Sequence, residues 1–123
     1  MEALKNMNTN YFPIDFNAEG SSFVVMNNGT APAPCVITFV PKVDFYRLVI
    51  EGLSEQPIAV NRVKAKDVLV IDGENRTITI NDTDAFAQYD AWEFPKLQPG
   101  KNTIKIENGV QASIAIEYNP RYI

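Results

Sequence analysis

The segment Tyr89-Asp90-Ala91-Trp92-Glu93-Phe94 interleaves aromatic side chains with carboxylates. An aromatic plate can stack on a sugar ring while a neighbouring carboxylate accepts hydrogen bonds from its hydroxyls. Tyr89, Asp90, Trp92 and Glu93 are therefore the candidate carbohydrate-binding residues of the chain. The competing expectation is packing. A β-rich domain needs aromatics to fill its core and to cover its open ends, and as core or lid these residues carry no ligand. The packing reading takes precedence.

The groups that drive most catalysis are missing. The chain has no histidine, which removes the commonest general base and the commonest metal ligand, and a single cysteine, so zinc sites of the usual kinds are excluded. No Gly-x-Ser-x-Gly elbow, P-loop or dinucleotide fingerprint occurs. Acidic pairs can be drawn at will from 15 Asp and Glu residues, and nothing marks one pair for glycoside hydrolysis. Asp82-Thr83-Asp84 and Asp72-Gly73-Glu74-Asn75 have equal claims on a calcium ion, but neither completes an EF-hand loop. Turns and caps require the same residue types. The expectation is a non-enzyme with no catalytic residues, no bound metal and no cofactor.

Arg47, Arg62, Arg76 and Arg121 are scattered along the sequence. Arg121 either pairs with a carboxylate and clamps the end of the last strand, or sits in a solvated tail. Cys35 cannot form an internal disulfide, heads an apolar run, and is expected to be a small buried hydrophobe. A net charge of −4 argues against a nucleic-acid partner, which would select for a basic excess. Met1 to Asn10 lack the basic start and apolar run of a signal peptide, and no segment is long enough for a membrane span. A soluble protein without membrane insertion is expected.

The elements that must position these residues are strands. At 123 residues, with 46% hydrophobic and 21% charged, the chain suits one globular domain with one core. Short β-branched runs bounded by Gly, Pro, Asn or Asp recur at residues 22–26, 35–40, 45–50, 57–60, 68–71, 77–80, 103–106 and 113–116. Their spacing predicts an all-β chain with little helix, folded as an antiparallel β-sandwich or barrel. Tyr11 to Phe16 reads as an edge strand, because Pro13 cannot donate within a central one. Residues 1–20 form a lead-in, and 21–123 the single sandwich domain.

Parity refines the local expectations. A turn centred on Gly73-Glu74 opposes Leu69 with Ile78 and Ile71 with Arg76, and puts Leu69 and Ile78 on one face. Apolar residues on both faces of Val68 to Ile71 imply a strand buried on both sides, or one with one side packed under a neighbouring segment. For the last two runs, a three-residue loop at Asn108 to Val110, with a bulge near Gly109, opposes Ile104 with Ile114. Asp82 or Thr83 can cap one helical turn before Tyr89, but an irregular excursion over the sandwich suits the segment better.

Four groups of residues, in order, carry a resemblance. They are Asn28-Gly29-Thr30-Ala31-Pro32-Ala33-Pro34, then Leu69-Val70-Ile71-Asp72-Gly73-Glu74 with Thr77-Ile78, then Phe94-Pro95-Lys96-Leu97-Gln98-Pro99-Gly100-Lys101-Asn102, and finally Tyr118-Asn119-Pro120-Arg121-Tyr122. With them, from about Phe23 to its end, the chain resembles the C-terminal domain of the distal tail protein family of long-tailed bacteriophages. The resemblance implies a galectin-like, jelly-roll-like sandwich. It also implies a structural role at a phage or prophage tail tip, with other tail or baseplate proteins as partners, on a virion assembled in the bacterial cytoplasm. The family's first domain forms a hexameric ring, and the resemblance does not extend to it. Ring formation by this chain is accordingly not implied, although a homo-oligomer stays open, and the chain is an excised domain, a degenerate prophage product or a short standalone version. Galectins bind sugar through a constellation that includes histidine, which this chain lacks. Cell-surface carbohydrate is the alternative partner, resting on Tyr89 to Phe94.

Overall fold

The computed structural model describes residues 10–16, 22–106 and 112–122. The strands run in chain order as β1 (Asn10–Phe16), β2 (Ser22–Asn27), β3 (Ala33–Pro41), β4 (Phe45–Glu51), β5 (Ile58–Val63), β6 (Leu69–Asp72) and β7 (Thr77–Ile80). They continue as β8 (Thr83–Asp84), β9 (Tyr89–Asp90), β10 (Lys96–Leu97), β11 (Gly100–Ile106) and β12 (Ala112–Tyr118), with one 3-10 turn at Phe86–Gln88. All pairings are antiparallel. One sheet has the order β1-β12-β3-β6-β7-β8, with β10 beside the start of β3; the other has the order β2-β11-β4-β5-β9.

Period-two burial shows how the sheets face each other. In β3 every odd residue from Ala33 to Pro41 is buried and every even one half-buried; in β12 Ala112, Ile114, Ile116 and Tyr118 are buried. From the smaller sheet, Val25, Leu48, Ile50, Ile58, Val60, Ile104 and Ile106 point into the same core. Phe39 meets Phe45 edge to face across it, with ring centroids 5.7 Å apart. The fold is thus an antiparallel β-sandwich. The lone cysteine, Cys35, is fully buried in this core, and burial pushes its thiol pKa up to about 12. Strand β1, carrying Pro13, stands at the sheet edge and pairs with β12 alone, as a proline strand must.

Several local expectations need correction. In the β6–β7 hairpin the register is Leu69 to Ile80 and Ile71 to Ile78, two residues beyond the expected pairing. A shift of two preserves the face, so Leu69, Ile71 and Ile78 are all buried. The cause is the Asp72 side chain. Its Oδ1 accepts from the amides of Glu74 and Asn75, and its Oδ2 from the Asn75 side chain. The resulting loop ends on Arg76 in the left-handed region, at φ 58. The strand is not covered on both sides, since Val70 is half-buried and Val68 exposed.

Strands β11 and β12 are not a paired hairpin. Ile104 pairs with Phe23 and Ile106 with Ile50, whereas Ile114 pairs with Phe39. The two strands belong to opposite sheets, and both turn isoleucines into the shared core. The expected loop at Asn108 to Val110, including Gly109, lies outside the described residues. Between β8 and β9 the chain crosses from one sheet to the other through the 3-10 turn. Its N-cap is Ala85 with no side-chain bond, so neither Asp82 nor Thr83 caps it; Thr83 instead joins β8 opposite Ile80.

Candidate functional site

Strand β9 is the outer strand of the smaller sheet, opposite β5, and it separates the candidate residues by face. Tyr89 turns inward beside Val60 and is half-buried. Its ring lies between Phe86, 6.4 Å away, and Phe94, 4.8 Å away and nearly parallel at 16°. Its hydroxyl donates to the Glu93 carbonyl at 2.6 Å. Burial holds the phenol above its usual pKa, with smaller contributions from the charges of Glu93 and Cys35. Tyr89 therefore closes the flank where the chain crosses between sheets, as the packing reading expects.

Asp90 points the other way. Its Oδ2 receives Arg47 Nη2 at 2.9 Å, and Arg47 Nη1 donates to Asn61 Oδ1 at 3.0 Å. Arg47 on β4 and Asn61 on β5 are cross-strand partners, so the three side chains form a polar ladder on the outer face. The Arg47–Asp90 pair is about half exposed, which makes it a weak contributor to stability. Trp92 follows in a bend and is 90% exposed; it belongs neither to the core nor to a lid. Glu93 is half-buried, with a long contact of 3.5 Å from the Glu55 amide to its Oε1.

The structure thus joins Asp90 to Arg47 and Asn61, neither of which the sequence marks as a site residue, and assigns Tyr89 to packing. The outer face offers hydrogen-bond donors and acceptors, and two residues beyond Asp90 the chain presents an exposed indole plate. That chemistry suits recognition of a polar ring. Among the described residues no group of three or more His, Cys, Asp or Glu is placed to hold a metal ion, and no helix is long and apolar enough to cross a membrane.

The four motif groups have a different location and meet at one end of the sandwich. Asn27, buried beside the first group, donates from Nδ2 to the carbonyls of Ala31 at 3.2 Å and Leu97 at 3.0 Å, and its Oδ1 accepts from the Gly29 amide at 2.9 Å. The Tyr118 hydroxyl accepts from the Asn28 amide at 2.9 Å and donates to the Met26 carbonyl at 2.8 Å. The Arg121 carbonyl accepts from the amides of Thr30 and Ala31, and its guanidinium pairs with Glu74 at 2.8 Å. Arg121 is therefore the clamp and not a free tail.

Glycine is required at two points of this clasp. A Cβ on Gly29 would run into the Arg121 carbonyl oxygen, and one on Gly73 into the Pro95 carbonyl oxygen. Gly73 donates to the Cys35 carbonyl at 2.8 Å, and the Cys35 amide donates to Pro95 at 3.1 Å. Close by, Asn102 is buried and folds its amide onto the turn before β11: Oδ1 accepts from the Gln98 amide, and Nδ2 donates to the Gln98 carbonyl.

Comparison with known proteins agrees with this placement. Residues 28–122 match the family model described as siphovirus-type tail component, C-terminal domain. The crystal structure of SPP1 Dit (gp 19.1), titled a paradigm of the hub adsorption apparatus in phages that infect Gram-positive hosts, is similar with a TM-score of 0.69 at 13% identity. The match covers 89% of this chain and 46% of that one, so the chain spans less than half the length of that protein. At this identity the likeness is one of fold. No curated protein sequence matches.

Proposed function

This chain belongs to the siphovirus-type tail component family through its C-terminal domain, and from that premise we propose that it is a structural, non-catalytic module of a phage or prophage tail tip. It attaches to other tail or baseplate proteins. Residues 21–123 are the working module and residues 1–20 a lead-in whose strand extends the sheet edge. Virion association follows from the family; assembly in the bacterial cytoplasm is part of the proposal. The observation that carries the reading is the clasp. The residues that carry the resemblance hold segments far apart in sequence together through backbone and buried side-chain hydrogen bonds. Contacts of this kind build a rigid scaffold, the property a structural tail part requires. Gold labelling of an epitope-tagged chain on purified particles should decorate the distal end of the tail. Particles that carry no label there would sink the proposal.

A carbohydrate-binding module is a second reading, favoured by one observation, the 90% exposure of Trp92, two residues beyond the Asp90 that closes the Arg47–Asn61–Asp90 ladder. A glycan array of bacterial cell-surface sugars decides it. Binding lost in Trp92→Ala supports it, and no binding, or binding indifferent to that change, removes it.

A further inference from the structure

A groove of about 390 Å³ lies on the outer face of the larger sheet, over β12, β3 and β6. Register sets its floor. Val36 stands between Asp72 on β6 and Glu117 on β12; one pleat further along, Thr38 stands between Val70 and Ala115. All of these outward residues are half-buried. A row with a carboxylate at each end is therefore followed, about 7 Å along the strands, by an uncharged row of small and β-branched side chains.

The charges are unequally matched. Glu74 on the groove wall pairs with Arg121. Asp72 is held in place by the turn that follows it, through bonds from neutral amides that bring no opposing charge. The Glu117 carboxylate has no hydrogen bond or ion pair with any described residue, and among the described residues no Lys or Arg lines the groove. A recess with low-dielectric walls and an excess of one sign concentrates its potential on the opposite sign. The chain as a whole, at −4, adds to that bias.

Strands β12, β3 and β6 are interior to the sheet, so their backbone groups are already paired along this stretch and cannot accept an added strand. Recognition here proceeds through side chains. A long basic side chain matches both rows at once, its aliphatic stem on the uncharged row and its cation on the acidic one. We propose that the groove docks a segment of a partner protein that inserts an arginine or lysine side chain, with the stem over Thr38 and Val70 and the cation between Asp72 and Glu117.

This rests on reading the chain as a protein-binding module, but its test is separate. The isotope-labelled full chain is titrated, by NMR, with a blocked pentapeptide of alternating threonine and arginine, with its glutamine counterpart, and with N-acetylarginine amide. The arginine peptide should shift Val36, Thr38 and Val70 while the glutamine peptide leaves them in place. Glu117→Gln, which changes a half-exposed position and should leave the melting temperature unchanged, should weaken binding roughly fivefold. Equal response to both peptides would reduce the groove to an apolar face. Response to the amide as strong as to the peptide would make it a site for a free guanidinium. Absence of shifts, or shifts unmoved by Glu117→Gln, would also overturn the proposal. Failure here would leave labelling of the tail tip untouched, and failure of the labelling would leave the peptide result standing.

Discussion

Cys35 and Tyr89 are the side chains whose ionisation the fold most resists. Both pKa values are raised chiefly by burial, the thiol from 9.0 to about 12 and the phenol upward from 10.0. Between the unfolded and folded values the native chain keeps a proton that the unfolded chain has released, so stability falls as pH rises. The contribution of Cys35 is complete below pH 9 and is lost between 9 and about 12, with a slope approaching about 1.4 kcal/mol per pH unit. Tyr89 adds to the loss above pH 10. Urea unfolding at successive pH values should therefore show a decline that begins near pH 9. Cys35→Ala should start from a lower stability and decline less steeply over that range. Equal slopes in the two proteins would contradict the account. The same residue scale limits what could be read of the candidate site. The exposed indole of Trp92 was accessible as a residue type, but the partners of Asp90 were not. Arg47 lies 43 residues from Asp90 in sequence and meets it only because β4, β5 and β9 are neighbours in one sheet.

Strands were legible in this sequence because short β-branched runs between turn residues have few other ways to fold. Facing was legible too. Leu69, Ile71 and Ile78 share the buried side that parity assigns them, even though their partners differ by two residues. Partner choice was not. Period two reports which way Ile104 and Ile114 point, and it is the same for strands side by side and for strands opposed across a core. The β6–β7 hairpin makes the point at the level of chemistry, since one carboxylate decides the loop length. Asp72→Ala should cost about 1 kcal/mol by leaving the amides of Glu74 and Asn75 to water. It should lower the melting temperature by about 4 °C for a domain of this size, and calorimetry would read it. A melting temperature equal to that of the parent chain would show that another interaction sets the turn.

At the scale of the whole molecule, the family resemblance was visible before any geometry, as ordered residue groups, while the reason for the order was not. The groups converge on the clasp, where Gly29 and Gly73 admit neighbouring backbone, and Asn27 and Tyr118 bond to segments far away in sequence. Backbone contacts dominate that end. Arg121→Ala should therefore cost less than about 1 kcal/mol, because its pair with Glu74 is half exposed. Removing residues 120–123 should cost more, about 2–3 kcal/mol, since the amides of Thr30 and Ala31 lose the Arg121 carbonyl. Guanidinium midpoints of the two variants compare them directly. A larger loss from the side-chain change would reverse the assignment.

The sheet order also governs timing. Strand β2 lies against β11, and β3 against β12, so strands made early find their neighbours among those made last. During synthesis, the stretch that separates them takes on the order of several seconds to emerge. Through that interval β2, with Val25, lacks its β11 partner, and β3, with Ile37, has β6 on one side but not β12 on the other. Folding of this module in that sense waits for β12, and the nascent chain must be kept from sticking until that strand arrives.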